Sequence, residues 1–199
     1  YPLPNSKLNS PYATGAHWKG MIHEPTNFVN NKRKLAKGPG ANLELAWAFG
    51  YRAQTSRNNL RYIITDQDKP ANIVGFTTAS LGIVYNIETR SQSFYQGHRH
   101  EITCMALHPS GLIVATGDSN SNIHLWSSSS MNCLNIIQGL VKGGLRHVTF
   151  SPNGDRVAGV HCDTDNTITL YNSTTGDILA SSRCITSPQN VYDIAYAPN

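Results

Sequence analysis

Short apolar runs separated by polar turns recur in register along the second half of this chain. Ile102–Pro109, Leu145–Pro152 and Val191–Pro198 each place apolar residues at their first, fourth and sixth positions and end in proline, at offsets of 43 and 46 residues. A second set keeps the same rhythm: Val84-Tyr85-Asn86, Leu125-Trp126-Ser127 and Leu170-Tyr171-Asn172, spaced by 41 and 45 residues. Between the two sets lie the apolar stretches 113–116 and 157–160, each preceded by a tight-turn sequence, Pro109-Ser110-Gly111 or Pro152-Asn153-Gly154. Each period therefore predicts four short strands joined by turns. A repeat of that length and content is a sheet that buries its apolar face only by stacking on its neighbours. A β-sandwich accommodates alternation and turns equally well. The recurring aliphatic–aromatic–small triplet instead favours stacked blades.

These residues resemble the WD40 family, which implies an all-β, β-propeller fold. Gly97-His98 stands where a WD40 blade has its Gly-His pair, and Leu125-Trp126-Ser127 where it has Trp-Asp. The resemblance implies a structural hydrogen-bonded set in each blade. In the first full blade that set is expected to be His98, Asn120 in the position of the family's turn aspartate, and Trp126. In the next it is expected to be Asp165 and Tyr171, with tyrosine replacing tryptophan and no Gly-His pair. A closed propeller has roughly four to eight blades. Two blades and the first strand of another are recognisable here, so the expectation is an incomplete propeller, a fragment of a larger chain.

Upstream, Leu43, Leu45, Trp47 and Phe49 alternate with other residues, which predicts a half-buried strand ended by Gly50. A polar turn then leads to a strand at 60–64, followed by strands at 73–76 and 81–85. Leu45, Trp47, Gly50-Tyr51-Arg52, Arg57, Asn58-Asn59-Leu60, Val84-Tyr85-Asn86, Tyr95 and Gly97-His98 agree in order and spacing with another pattern. They resemble the hydrophobic (HELP) motif that precedes the first propeller of the echinoderm microtubule-associated protein-like family. Ala53 departs from the glycine usual there, and residues 1–40 have no counterpart in that pattern. The resemblance implies that the motif packs as part of the propeller, with Trp47, Phe49 and Tyr51 mostly in the core. It also implies a protein of the microtubule cytoskeleton. The expected organisation is a basic extended arm over 1–40, a HELP-like motif over 41–96 and WD40 repeats over 97–199.

Charge refines this picture. The formal net charge is +4 over 199 residues, but Lys7, Lys19, Lys32, Arg33, Lys34 and Lys37 fall in the first forty residues, against Glu24 alone. The rest of the chain is slightly acidic, so an acidic partner is expected to meet the arm. Trp18, Lys19, Lys32, Arg33, Lys34 and Lys37 are the candidate partner-binding residues, the arm either lying along a partner or packing back on the propeller. A phosphate-binding role for residues 32–37 is the weaker reading, because no nucleic-acid module is present.

No catalytic constellation is legible: there is no phosphate-binding glycine loop, no Gly-x-Ser-x-Gly and no His-Glu-x-x-His. His98 and His100 have no third ligand near in sequence, and Cys104, Cys133, Cys162 and Cys184 form no Cys-x-x-Cys. No metal, cofactor or catalytic residue is expected, and reduced thiols suit a cytosolic protein. Asn172-Ser173-Thr174 fits a glycosylation triplet, a pattern common by chance. No apolar run reaches membrane-spanning length. The expected function is a non-enzymatic scaffold binding tubulin or microtubules, with other cytoskeletal or axonemal proteins as partners, in the cytoplasm or cilium. The alternative is a general WD40 adaptor that does not bind microtubules directly.

Overall fold

A computed structural model describes residues 43–51, 56, 58–63, 72–184 and 191–197. The chain divides into two units, Tyr1–Glu44 and Leu45–Asn199. The first lies outside the described residues except for Leu43 and Glu44.

The described residues of the second unit are all-β, with twelve strands in three antiparallel sheets of four. Blade 1 is β1 (Leu60–Tyr62), β2 (Ile73–Thr78), β3 (Leu81–Asn86) and β4 (Ser91–Tyr95). Blade 2 is β5 (Ile102–Leu107), β6 (Ile113–Asp118), β7 (Asn122–Ser127) and β8 (Cys133–Gln138). Blade 3 is β9 (Leu145–Phe150), β10 (Arg156–His161), β11 (Ile168–Asn172) and β12 (Ile178–Ser182). In each sheet the strands follow chain order from inner to outer edge. The three sheets do not close a ring, so the propeller is incomplete.

The repeating triplet forms the end of the third strand in every blade, and its polar residue starts the turn to the fourth. Asn86 Oδ1 accepts the amides of Glu88 and Thr89 at 2.9 and 3.0 Å. Asn172 Oδ1 accepts those of Thr174 and Thr175, both at 2.9 Å. Ser127 Oγ accepts that of Ser130 at 3.3 Å. Four residues beyond each starter the chain turns left-handed, at Arg90 (φ 52°), Met131 (φ 57°) and Gly176 (φ 80°). Only blade 3 has glycine at this position, where a side chain is strained.

Apolar residues alternate toward both neighbours because every middle blade is buried on two faces. One core layer, between blades 1 and 2, holds Ile63, Val84, Tyr95, Met105, Val114 and Trp126. The other, between blades 2 and 3, is built around Ala115, Ile123, Leu125, Val148, Phe150 and Tyr171. Trp126 and Tyr171, at opposite layers, are 1% and 0% exposed. Each removes on the order of 200 Å² from water, roughly 5 kcal/mol of gross burial.

The inner strands are tied by hydrogen bonds running from blade to blade. Ser56 Oγ donates to the Thr103 carbonyl at 3.0 Å, and Thr103 Oγ1 to that of Leu145 at 2.5 Å. His147 Nε2 lies 3.1 Å from the Val191 carbonyl.

Two sequence expectations are corrected here. Residues 43–51 form no strand, and their alternation is not matched by burial: Leu43 and Phe49 are almost fully exposed. Residues 45–51 cross an outer face of blade 1 and pair with it through a side chain rather than a ladder. Gln92 accepts the Ala48 amide at 2.9 Å and donates to its carbonyl at 3.3 Å. Residues 191–197, expected as the first strand of a further blade, have no strand partner among the described residues. The upstream stretch also contributes more than anticipated, since residues 60–95 complete a four-stranded blade.

Candidate functional site

Strand β6 brings Thr116 and Asp118 to the face of blade 2 that meets blade 1, and β7 brings His124 and Trp126 to the same face. His98, in the loop after β4, reaches both strands. Its Nδ1 is 3.2 Å from Asp118 Oδ2 and its Nε2 2.7 Å from Thr116 Oγ1. Trp126 Nε1 donates to Thr116 Oγ1 at 3.0 Å. One proton arrangement satisfies the whole chain: indole N–H to threonine oxygen, threonine O–H to His98 Nε2, and His98 Nδ1–H to the Asp118 carboxylate.

Asp118, and not Asn120, is therefore the carboxylate of this set. Asn120 is exposed, and its backbone amide donates to Asp118 Oδ1 at 2.9 Å. Asp118 also accepts the Asn122 amide at 2.8 Å and its side-chain amide at 3.3 Å. Burial pushes the Asp118 carboxyl up, but the hydrogen bonds from His98, Asn122 and Asn120 outweigh it and hold it below the usual carboxylate range. The misassignment arose because the carboxylate ends a strand rather than sitting inside the turn.

Tyr95, the last residue of β4, extends the network across the seam. Its ring stacks on Trp126 with centroids 4.8 Å apart and planes 2° from parallel. Its hydroxyl is 2.8 Å from His124 Nδ1, and His124 in turn stacks on His98 at 3.7 Å. Burial pushes the His124 imidazole down to about 4, so it is neutral here at neutral pH, and burial raises the Tyr95 phenol. Sequence reasoning assigned His124 no role. The available signal was its place two residues before Trp126, which puts both on one face of β7.

Blade 3 builds a different seam at the matching positions. His161 stands ten residues before Tyr171, as Thr116 does before Trp126, and its Nε2 is 3.2 Å from the Tyr171 hydroxyl. That hydroxyl also accepts the Leu140 amide at 3.2 Å. The turn carboxylate is Asp163, not Asp165. Asp163 accepts the Thr167 amide and hydroxyl at 2.7 and 2.6 Å, four residues on, as Asp118 accepts Asn122. Asp165 instead lies 3.5 Å from Arg183 at the exposed edge, an ion pair worth little in water.

His98, Asp118 and His124 bring ligand-type atoms within 4.8 Å of one another. Their chemistry is not that of a metal site. Both nitrogens of His98 and Nδ1 of His124 are already in hydrogen bonds. Stacked rings also direct their in-plane lone pairs side by side rather than at one point. Among the cysteines, Cys104 is buried and its thiol is pushed up to about 12 by burial, so it is not a nucleophile at neutral pH. No helix among the described residues is long and apolar enough to cross a membrane.

The HELP-like residues separate into two groups. Asn59 is buried and ties β1 to β2: its Nδ2 donates to the Thr77 carbonyl at 3.0 Å, and its Oδ1 accepts the Thr77 amide at 2.9 Å and hydroxyl at 2.6 Å. Asn58 takes a left-handed conformation (φ 54°), as does Gly50 (φ 107°). Trp47, Phe49 and Tyr51 are not core residues: they are 38%, 88% and 49% exposed. Trp47 meets Tyr85 edge-on at 5.9 Å and Tyr51 meets Phe76 at 6.1 Å. They cover one face of blade 1, and the described residues place nothing over them. Arg52, Arg57, Trp18, Lys19, Lys32, Arg33, Lys34 and Lys37 lie outside the described residues.

Comparison with known proteins agrees with this architecture. The HELP motif matches residues 38–87, and the WD domain, G-beta repeat, matches residues 89–127. Echinoderm microtubule-associated protein-like 1 of Rattus norvegicus is 27% identical over 178 residues, 82% of this chain and 21% of that protein. Echinoderm microtubule-associated protein-like 2 of Mus musculus is 26% identical over 173 residues, 80% of this chain and 25% of that protein. The 77 kDa echinoderm microtubule-associated protein of Lytechinus variegatus is 30% identical over 107 residues, 50% of this chain and 15% of that protein. The chain thus spans about a fifth of the length of the first of these relatives. With its motif, its four-stranded blades and these relatives, the chain carries a HELP motif and a WD40 repeat and is similar in sequence to echinoderm microtubule-associated protein-like proteins.

Proposed function

We propose that this chain is part of a microtubule-associated scaffold of the cytoplasmic cytoskeleton that binds the tubulin lattice without catalysing a reaction. The observation that carries the reading is the similarity over 178 residues to a protein named for microtubule association. The seams support it: the titratable groups His98, Asp118 and His124 are spent on holding blades together. The propeller then serves as a rigid platform, and the basic residues of the first forty positions are the natural counterpart of acidic tubulin tails. Axonemal microtubules of cilia are included as a setting, with other cytoskeletal proteins as further partners.

The test is a charge series. Replacing Lys32, Arg33, Lys34 and Lys37 with alanine should weaken microtubule binding by at least about tenfold at physiological salt, because several cations act together on an acidic surface. Unchanged affinity moves the contact onto the blades. Loss of every interaction with microtubules, for the unaltered chain as well, leaves the adaptor role.

A further inference from the structure

We draw no further inference here: the strongest candidate, the apolar face of blade 1 where Trp47, Phe49 and Tyr51 lie beside Leu60, Val74 and Phe76, carries nothing because nothing among the described residues shows what covers it.

Discussion

The hydroxyl of Tyr95, at the end of blade 1, lies 2.8 Å from Nδ1 of His124 in blade 2. Both residues are buried, at 2% and 5% exposure. This contact is one of several that join two sheets sharing no strand pairing. Tyr95→Phe keeps the stack on Trp126 and leaves a buried imidazole nitrogen without its partner. It should cost about 1–3 kcal/mol in urea unfolding, with an unchanged m-value. Tyr95→Ala also removes the ring and should cost about 3–5 kcal/mol.

The placement of the turn carboxylate is separable by mutation. Asp118→Ala strands His98 Nδ1–H and the amides of Asn120 and Asn122, and should cost about 3 kcal/mol or more. Asn120→Ala removes an exposed side chain and should stay within about 0.5 kcal/mol. Chemical denaturation of the two variants distinguishes the alternatives, and equal costs would contradict the assignment.

Acid should loosen the seams in two stages. The His124 imidazole is depressed in the folded chain, from 6.5 to about 4. The unfolded chain therefore takes up this proton first as pH falls. Stability is complete above about 6.5 and lost progressively down to about 4. That window of roughly 2.5 units corresponds to about 3 kcal/mol. The buried His161 is depressed as well and acts with the same sign. Asp118, held below 3.8 when folded, adds stability that is present above that value and lost below it. Thermal melts between pH 7.5 and 3 should show a decline beginning near pH 6.5, reduced in His124→Phe. A melting temperature constant from pH 7 to 4.5 contradicts the burial argument.

Arg90 occupies the left-handed position that glycine fills in blade 3, and its side chain is exposed. Arg90→Gly should relieve the conformational strain at the expense of some unfolded-state entropy, raising stability by up to about 1 kcal/mol. A calorimetric loss of more than about 0.5 kcal/mol would show that the arginine side chain has a role the turn geometry does not reveal.

Much of the fold was legible because it repeats. The offset triplets fell on the ends of β3, β7 and β11, and the proline-terminated runs on β5 and β9. What repeats is local: alternation, a turn-starting Asn or Ser, a proline after the first strand. What was illegible is what joins one repeat to the next. Asp118 was passed over for Asn120 because a turn is found from sequence by its polar cluster, while the side chain that closes it sits on the strand before. His124 and Tyr95 are 29 residues apart, and only the stacking of separate sheets brings them together. Trp47 and Phe49 misled in the opposite sense, because aromatic alternation predicts a buried strand wherever a second surface is present to bury it. The described residues supply that surface on one side only.

The central claim is association with microtubules, and co-sedimentation of the full chain tests it most directly. Intact microtubules and microtubules with their acidic tails removed should be compared across a salt series. The account predicts that the chain pellets with intact microtubules at low salt, that binding falls as salt shortens the reach of exposed charges, and that tail removal weakens it further. A chain that stays in the supernatant with both preparations at low salt contradicts the account.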